Sequence, residues 1–233
     1  YDWCNAMMQV VVRDGDNIKM NFTGEGEVDS QLVLDKIDAD KDEVIDIALK
    51  LLNARPIEAG TYDIICDPAV AGLIAHEAFG HGVEMDMFVK ERAKAVQYVG
   101  KRVASDVVNM YDGAASCVSA ASYFFDDDGV EAGKTNIIKN GILQTGISDC
   151  LSAMELGTAP TGNGRRESYK RKVYTRMTNT FFDAGNDSVE DMIKSIKHGY
   201  YLCQSNNGME DPKNWQIQCT AGYGIEIVDG KLT

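Results

Sequence analysis

Gly60-Thr61-Tyr62-Asp63-Ile64-Ile65-Cys66-Asp67-Pro68 runs directly into Ala69-Val70-Ala71-Gly72-Leu73-Ile74-Ala75-His76-Glu77-Ala78-Phe79-Gly80-His81-Gly82-Val83-Glu84. The first part reads as a buried strand centred on Ile64, Ile65 and Cys66. Asp67-Pro68 then opens a helix, with the carboxylate as cap and the proline at the first helical position, where its missing N–H is no loss. The apolar residues Val70, Leu73 and Ile74 carry that helix to a segment holding two of the three histidines in the chain. A functional segment entered straight from a core strand has a rigid support.

Imidazole is the commonest protein ligand for zinc, and a neighbouring carboxylate can act as general base on water. His76 and His81 are therefore candidate metal ligands and Glu77 the candidate base. Glu84 is placed to orient an imidazole through its other ring N–H. The spacing is awkward. Zinc histidines on a helix usually stand four apart, whereas five steps at roughly 100° leave the second side chain about 140° round from the first. Both can meet one ion only if the helix widens or ends between them, and Gly80 and Gly82 make either possible. A catalytic zinc normally has three protein ligands, so one is missing from this segment. Read by itself, the segment is equally a polar helix face flanked by glycines.

Outward from this segment, residues 7–22 read as two strands around a turn at Asp14-Gly15-Asp16-Asn17, and residues 23–29 as a Gly-rich acidic loop. Residues 41–53 carry a helical apolar stripe that Arg55-Pro56 stops. Downstream, residues 105–110 and 117–125 read as strands, with Phe124 and Phe125 in the core. Asp126-Asp127-Asp128-Gly129 reads as a solvated turn, and residues 136–143 as a hairpin turning at Asn140-Gly141. Residues 152–156 suggest a helical turn, 158–176 a long Gly-rich basic loop, 189–198 a helix, and 215–228 one or two strands closing on an Asp229-Gly230 turn. The expected fold class is α+β: a strand-rich mixed or antiparallel sheet with a few helices, and the histidine motif on a helix that follows a core strand. Residues 1–53 are expected to be the end of an amino-terminal region with a linking helix, and 54–233 a carboxy-terminal domain.

The chain has 233 residues, 25% charged and 44% apolar, with a net charge of −13. So acidic a chain lacks the basic face of a protein that wraps nucleic acid, and no direct nucleic-acid contact is expected. There is no apolar run long enough to span a bilayer and no leader pattern, so a cytoplasmic, non-membrane protein is expected. The six scattered cysteines form no CxxC pair and read as buried free thiols. The opening Tyr1-Asp2-Trp3-Cys4 enters in mid-pattern, and the chain reads as a fragment of a longer protein.

HEAFGHGVEMD resembles the HExxxH signature of the TldD/PmbA family of zinc metallopeptidases, long labelled modulators of DNA gyrase. The resemblance extends to Phe125-Asp126-Asp127-Asp128-Gly129 with Asn140-Gly141-Ile142-Leu143. It includes a GRRxSY…RMTNT block from Gly164 to Tyr169 and from Arg176 to Thr180, and the closing strand around Gly222 to Leu232. It implies that His76 and His81 hold Zn2+, that Glu77 is the catalytic base, and that unfolded or flexible peptides are the substrates. It further implies a third ligand, a cysteine in a GxCGKxGQ-like segment beyond Thr233. As a partner it implies another copy, or a paralogue lacking the motif. Cys219 matches no ligand of the family and reads as a buried thiol. Arg165, Arg166 and Arg176 read either as substrate contacts or as braces of a long loop. The competing function is a non-catalytic binding subunit, or an acidic regulator of a DNA topoisomerase-type partner.

Overall fold

In the computed structural model, which describes residues 3–27 and 29–233, strands β1 (Cys4–Asp14) and β2 (Asn17–Glu27) pair antiparallel from Cys4 opposite Glu27 to Asp14 opposite Asn17. Gly15, at φ +57°, supplies the left-handed residue of the tight turn. Helix α1 (Ser30–Leu51) starts at Asp29, whose side chain accepts from the Gln31 N–H. Its buried stripe of Val33, Val44 and Ala48 covers the hairpin, and buried Asn21 donates to the Val44 carbonyl at 3.2 Å. The helix is longer than the expected 41–53, because the polar stretch from Ser30 is anchored by the cap and by Lys36 Nζ reaching Glu27 at 2.5 Å. The loop expected at 23–29 is strand as far as Glu27, and Val28 lies outside the described residues. These elements make up one compact unit, ending at Thr61.

The second unit is Tyr62–Thr233. Its first sheet runs β12 (Lys231–Leu232), β11 (Gln216–Val228), β10 (His198–Asp211), β3 (Asp63–Cys66), with β3 parallel to β10 and the rest antiparallel. The second sheet, antiparallel throughout, runs β6 (Ile142–Leu143), β5 (Thr135–Lys139), β4 (Met110–Asp112), β9 (Thr180–Phe182). A two-residue ladder joins β7 (Gly164–Arg165) to β8 (Tyr174–Thr175). The fold is α+β. The larger apolar cluster, including Ala75, Val83, Phe88, Met110, Ile137, Ile138, Leu143, Ile147 and Met177, lies beside the histidine segment. A smaller one of Ile65, Ile196 and Ile227 underlies the first sheet. No helix among the described residues is long and apolar enough to cross a membrane.

Helix α2 (Pro68–Ala75) follows β3 as the sequence predicts. Asp67 Oδ1 caps the Val70 N–H at 2.7 Å, while Oδ2 accepts from the Gln204 N–H of β10, also at 2.7 Å. One carboxylate thus fixes the helix start to the central strand. The hairpin at Asn140-Gly141 forms, with φ +48° and +75°. Beyond the short α3 (Met85–Val89), helix α4 (Cys150–Leu156) is capped by Asp149, and α5 (Val189–Ser195) by Ser188. The helix expected to reach His198 stops at Ser195, and His198 instead opens β10, an element that the sequence reading does not contain. The pairing of β10 with β11 shifts between Ser205 and Asn207, so that Asn206 is an extra, bulged residue.

Of two expected strands, 117–125 is absent and 105–110 survives only at Met110, where β4 begins. Residues 105–109 and 117–125 are turns and bends, apart from an isolated bridge between Phe125 and Glu131. Phe124 and Phe125 are 76% and 63% exposed rather than core. Of the six thiols only Cys203 is buried; Cys117 and Cys150 are exposed and Cys219 is half-buried. Nor is the aspartate turn merely solvated. Asp126 is buried, accepting from the N–H groups of Asp128, Val130 and Gly164, while Asp128 Oδ2 accepts from the Cys150 N–H. Backbone donors that the irregular loops leave unpaired find carboxylates here.

Asp112 does the same for the second sheet. It is fully buried, and its oxygens accept from Asn163 Nδ2, the Thr178 N–H and hydroxyl, and the Thr180 hydroxyl. Asp112→Ala would leave these donors buried and unpaired, which at 1–3 kcal/mol for each group predicts a loss of about 3 kcal/mol or more. Asp112→Asn keeps one acceptor oxygen and is expected to lose roughly half of that. Urea unfolding of the full-length protein and both variants checks the order.

Candidate metal centre

Helix α2 does not continue regularly past Ala75. His76–Gly80 forms a π turn, and the His81 N–H donates to the His76 carbonyl, five residues back. A short 3-10 turn over His81–Val83 follows. Widening the helix by one residue per turn carries the second imidazole back over the first. His76 Nε2 and His81 Nε2 stand 3.0 Å apart, with ring planes nearly perpendicular at 88°. Each of the two histidines and Glu77 offers one ligand atom within 4.8 Å of the others. Among the described residues, His76, Glu77 and His81 form the only cluster of three or more such side chains in a metal-binding arrangement. Of the two ways left open by the five-residue spacing, a widened helix or an end between the histidines, the structure contains the widened helix.

The π turn survives because its surroundings close on it. Gly80 has no side chain where the Met177 thioether sits; a Cβ there would lie 2.0 Å from Met177 Sδ. The Ala78 carbonyl, displaced by the widened turn, accepts from Trp215 Nε1 at 2.9 Å. Trp215 itself stacks edge-on to Phe79 at 5.2 Å and to Tyr98 at 5.0 Å. From β10, Gly208 lies so close to Glu77 that an added Cβ would be 2.4–2.6 Å from its carboxyl group. Glu77 is 5% exposed, held between the helix and that bare stretch of backbone.

The two imidazoles are tuned apart. His76 is pushed below the ordinary histidine range, chiefly by burial and then by the charge of His81. His81 is raised, chiefly by the Glu84 carboxylate beside it. Glu84 Oε1 stands 3.5 Å from His81 Nδ1, and Glu84 Oε2 stands 3.4 Å from Arg176 Nη1. A proton held on Nδ1 leaves the Nε2 lone pair facing His76. Glu84 Oε1 is buried beside the ring but makes no hydrogen bond to it, so the orienting role read for Glu84 has proximity without a formed bond, and Arg176 is a third member of the chain.

Two contributors to the site were not identified in the sequence. Gly208 and Glu210 both lie on β10, which the sequence pattern does not announce as a strand, and Glu210 lines an open cleft of about 400 Å3 together with Glu77, His81 and Glu84. Both Glu210 carboxyl oxygens are buried without a hydrogen-bond partner. Cys219 sits opposite Gly208 in the ladder but is not part of the ligand cluster, and burial pushes its thiol up. The arginine block braces its loop: Arg165 Nη1 donates to the Met177 carbonyl at 2.6 Å, and Arg166 Nη2 to the Asp127 carbonyl at 3.0 Å.

Comparison with known proteins bears directly on this centre. Residues 59–233 match the family model described as the PmbA/TldA metallopeptidase C-terminal domain. The chain is 33% identical over 230 residues to Metalloprotease MJ0996 of Methanocaldococcus jannaschii, covering 99% of the chain and 51% of that protein. To a Metalloprotease TldD homolog of Buchnera aphidicola subsp. Acyrthosiphon pisum it is 31% identical over 234 residues, covering 97% of the chain and 48% of the relative. The crystal structure of TldE from Thermococcus kodakarensis superposes with a TM-score of 0.77 at 24% identity, over 99% of this chain and 52% of that one, which shows a shared fold. The chain spans about half the length of the relatives it matches.

Burial, with further push from Glu77 and Glu84, raises the Glu210 carboxyl from 4.5 to about 8. Between those values the folded protein keeps a proton that the unfolded chain has released. The stability associated with Glu210 is therefore full below pH 4.5 and is lost as pH rises through about 8. Glu210→Gln cannot ionise, so its melting temperature relative to wild type is expected to climb across this window in chelator-treated protein. Parallel pH profiles for the two proteins would show that Glu210 ionises normally.

Proposed function

The chain belongs to the PmbA/TldD metallopeptidase family, and on that premise we propose that it carries the catalytic centre of a zinc-dependent peptidase acting on unfolded or flexible peptides. The observation that supports this most is the convergence of His76, Glu77 and His81 through a π turn, with the two Nε2 atoms 3.0 Å apart.

The donor set fits zinc. Two imidazoles beside a carboxylate are the borderline-soft nitrogen and oxygen donors that zinc prefers. Burial favours neutral His76, while Glu84 stands 3.5 Å from His81 Nδ1, where a proton on that nitrogen would leave Nε2 free. His76 and His81 would hold the ion, and a third ligand, a cysteine as the family resemblance implies, would come from a later segment of the full-length protein. Bound zinc supplies Lewis acidity, polarising the scissile carbonyl and making water easier to deprotonate.

The remaining chemistry falls to this chain. Glu77 accepts the proton of the attacking water and hands it to the departing amine, a role that needs its carboxylate fixed in place. Gly208 provides that fixing by pressing backbone against it. Arg176 holds Glu84 beside the His81 ring, where closing the 3.5 Å gap on metal binding would restrain it. A peptide held extended, by pairing with a sheet edge, would present its carbonyl without needing a particular side chain. The full-length protein is proposed to work in the cytoplasm, paired with a second copy or with a paralogue lacking the motif. A non-catalytic subunit, or a regulator of a topoisomerase-type partner, would have no use for the converged donors.

In the full-length protein supplied with zinc, Glu77→Gln is expected to lower peptide cleavage by about 10²–10⁴-fold, the usual worth of a general base, while retaining the metal. His76→Ala and His81→Ala are expected to lose the metal itself. Metal analysis by mass spectrometry beside a cleavage assay separates the two classes. Undiminished cleavage by Glu77→Gln would sink the mechanism.

A further inference from the structure

A second cleft is connected to the first through the Arg176–Glu84 pair. It encloses about 530 Å3 and is lined by Arg165, Arg166, Glu167, Arg171, Tyr174 and Arg176. Four guanidinium groups against one lining carboxylate is a concentration of positive charge in a chain whose net charge is −13. Three cations also surround the Tyr174 ring: Lys172 Nζ at 4.4 Å from its centroid, Arg176 Cζ at 5.4 Å and Lys90 Nζ at 6.0 Å. Loop bracing accounts for only part of this. Arg166 is committed to Asp127, and Arg176 to Glu84 and the Thr175 carbonyl. Arg165 donates to the Met177 carbonyl, and no ion pair to it is present among the described residues. Arg171 only approaches Glu167 at 3.6 Å, with both side chains strongly exposed, 69% and 82%. Such an exposed pair is weak and holds neither group in place.

We propose that this cleft is a carboxylate-binding subsite of the peptidase, in which Arg165 and Arg171 receive the α-carboxylate or an acidic side chain of the peptide. Its role as a subsite rests on the hydrolytic reading above. Arginine suits the task because its planar fork meets a carboxylate with two parallel hydrogen bonds, and because it stays charged at any physiological pH. Position supports the assignment as much as charge. Arg176 lines this cleft, Glu84 lines the one that holds Glu77 and His81, and the two are paired at 3.4 Å, so the clefts adjoin. A peptide whose carbonyl lies at Glu77 would therefore reach the guanidinium groups a short way along its chain. Local positive charge also offsets the repulsion that so acidic a protein exerts on an acidic peptide.

The test is binding rather than turnover. Three fluorescent peptides of one neutral sequence are titrated against full-length protein carrying Glu77→Gln: the free carboxy-terminal acid, the amide, and the amide with one interior residue changed to glutamate. The acid, the glutamate peptide or both are expected to bind about tenfold more tightly than the neutral amide, equivalent to roughly 1.4 kcal/mol. That preference should shrink as salt is raised and fall towards unity in Arg171→Gln and in Arg165→Gln. Preference for the acid identifies the α-carboxylate as ligand, and preference for the glutamate peptide an acidic side chain. Arg171 is exposed and its replacement threatens no fold, so the answer does not depend on Arg165→Gln folding. Equal affinity for all three peptides, or a preference that persists in Arg171→Gln, overturns the proposal. A protein that retains the preference while Glu77→Gln leaves cleavage undiminished supports the cleft and overturns the hydrolytic reading instead.

Discussion

A single backbone hydrogen bond, from the His81 N–H to the His76 carbonyl, sets the geometry on which the rest of this centre depends. A regular helix would give each N–H to the fourth residue back and turn the two imidazoles well apart. Shifting the acceptor by one residue brings their Nε2 atoms to 3.0 Å. A π turn is a poorer helix than the one it interrupts, so it persists only where its neighbours favour it. Here the Ala78 carbonyl is taken up by Trp215, the space over Gly80 is filled by Met177, and Glu77 is pressed by Gly208. None of the three comes from the helix itself.

That division of labour explains why so much of the unit is built around buried acceptors. Asp67 ties the start of α2 to β10, Asp112 holds the segment leading out of Met177, and Asp126 gathers the loop before Arg165. Each satisfies several backbone or hydroxyl donors in places where loops, rather than ladders, approach the core. Positioning by carboxylates rather than by regular strands makes the long loops rigid enough to fix Met177 and Arg176, and through them the histidine segment.

The helix start at Asp67-Pro68, the Asn140-Gly141 hairpin and the need for the helix to widen or end between the histidines were all legible, because each is a local rule written in a few adjacent residues. What escaped is what local rules do not contain. The strand β10 interrupts its pattern with Gly199, Gly208 and the Asn206-Asn207 pair, and it is stabilised by two neighbouring strands rather than by its own propensity. Without β10 as a strand, Gly208 and Glu210 gave no sign of facing the site. The opposite error occurred at residues 117–125, where a run containing Val118, Tyr123, Phe124 and Phe125 suggested a strand but has no partner long enough to form one.

The extra residue Asn206 has a consequence for which side chains the centre can recruit. Residues facing each other across a ladder share a face, and the faces alternate along each strand. Before the shift, Tyr201 and Cys203 are opposite Ile225 and Tyr223; after it, Gly208 and Glu210 are opposite Cys219 and Ile217. All four partners on β11 are odd-numbered, so the even-numbered Gly208 and Glu210 stand on the face that odd-numbered residues occupied upstream. The strand behaves like a message whose reading frame changes at one inserted letter. Paired in its original frame, it would turn Asn207 and Met209 to this face, with a side chain where Glu77 requires bare backbone. The acidity of the cleft is in that sense written by a count of residues, and a lineage could gain or lose it through one insertion without altering any ligand.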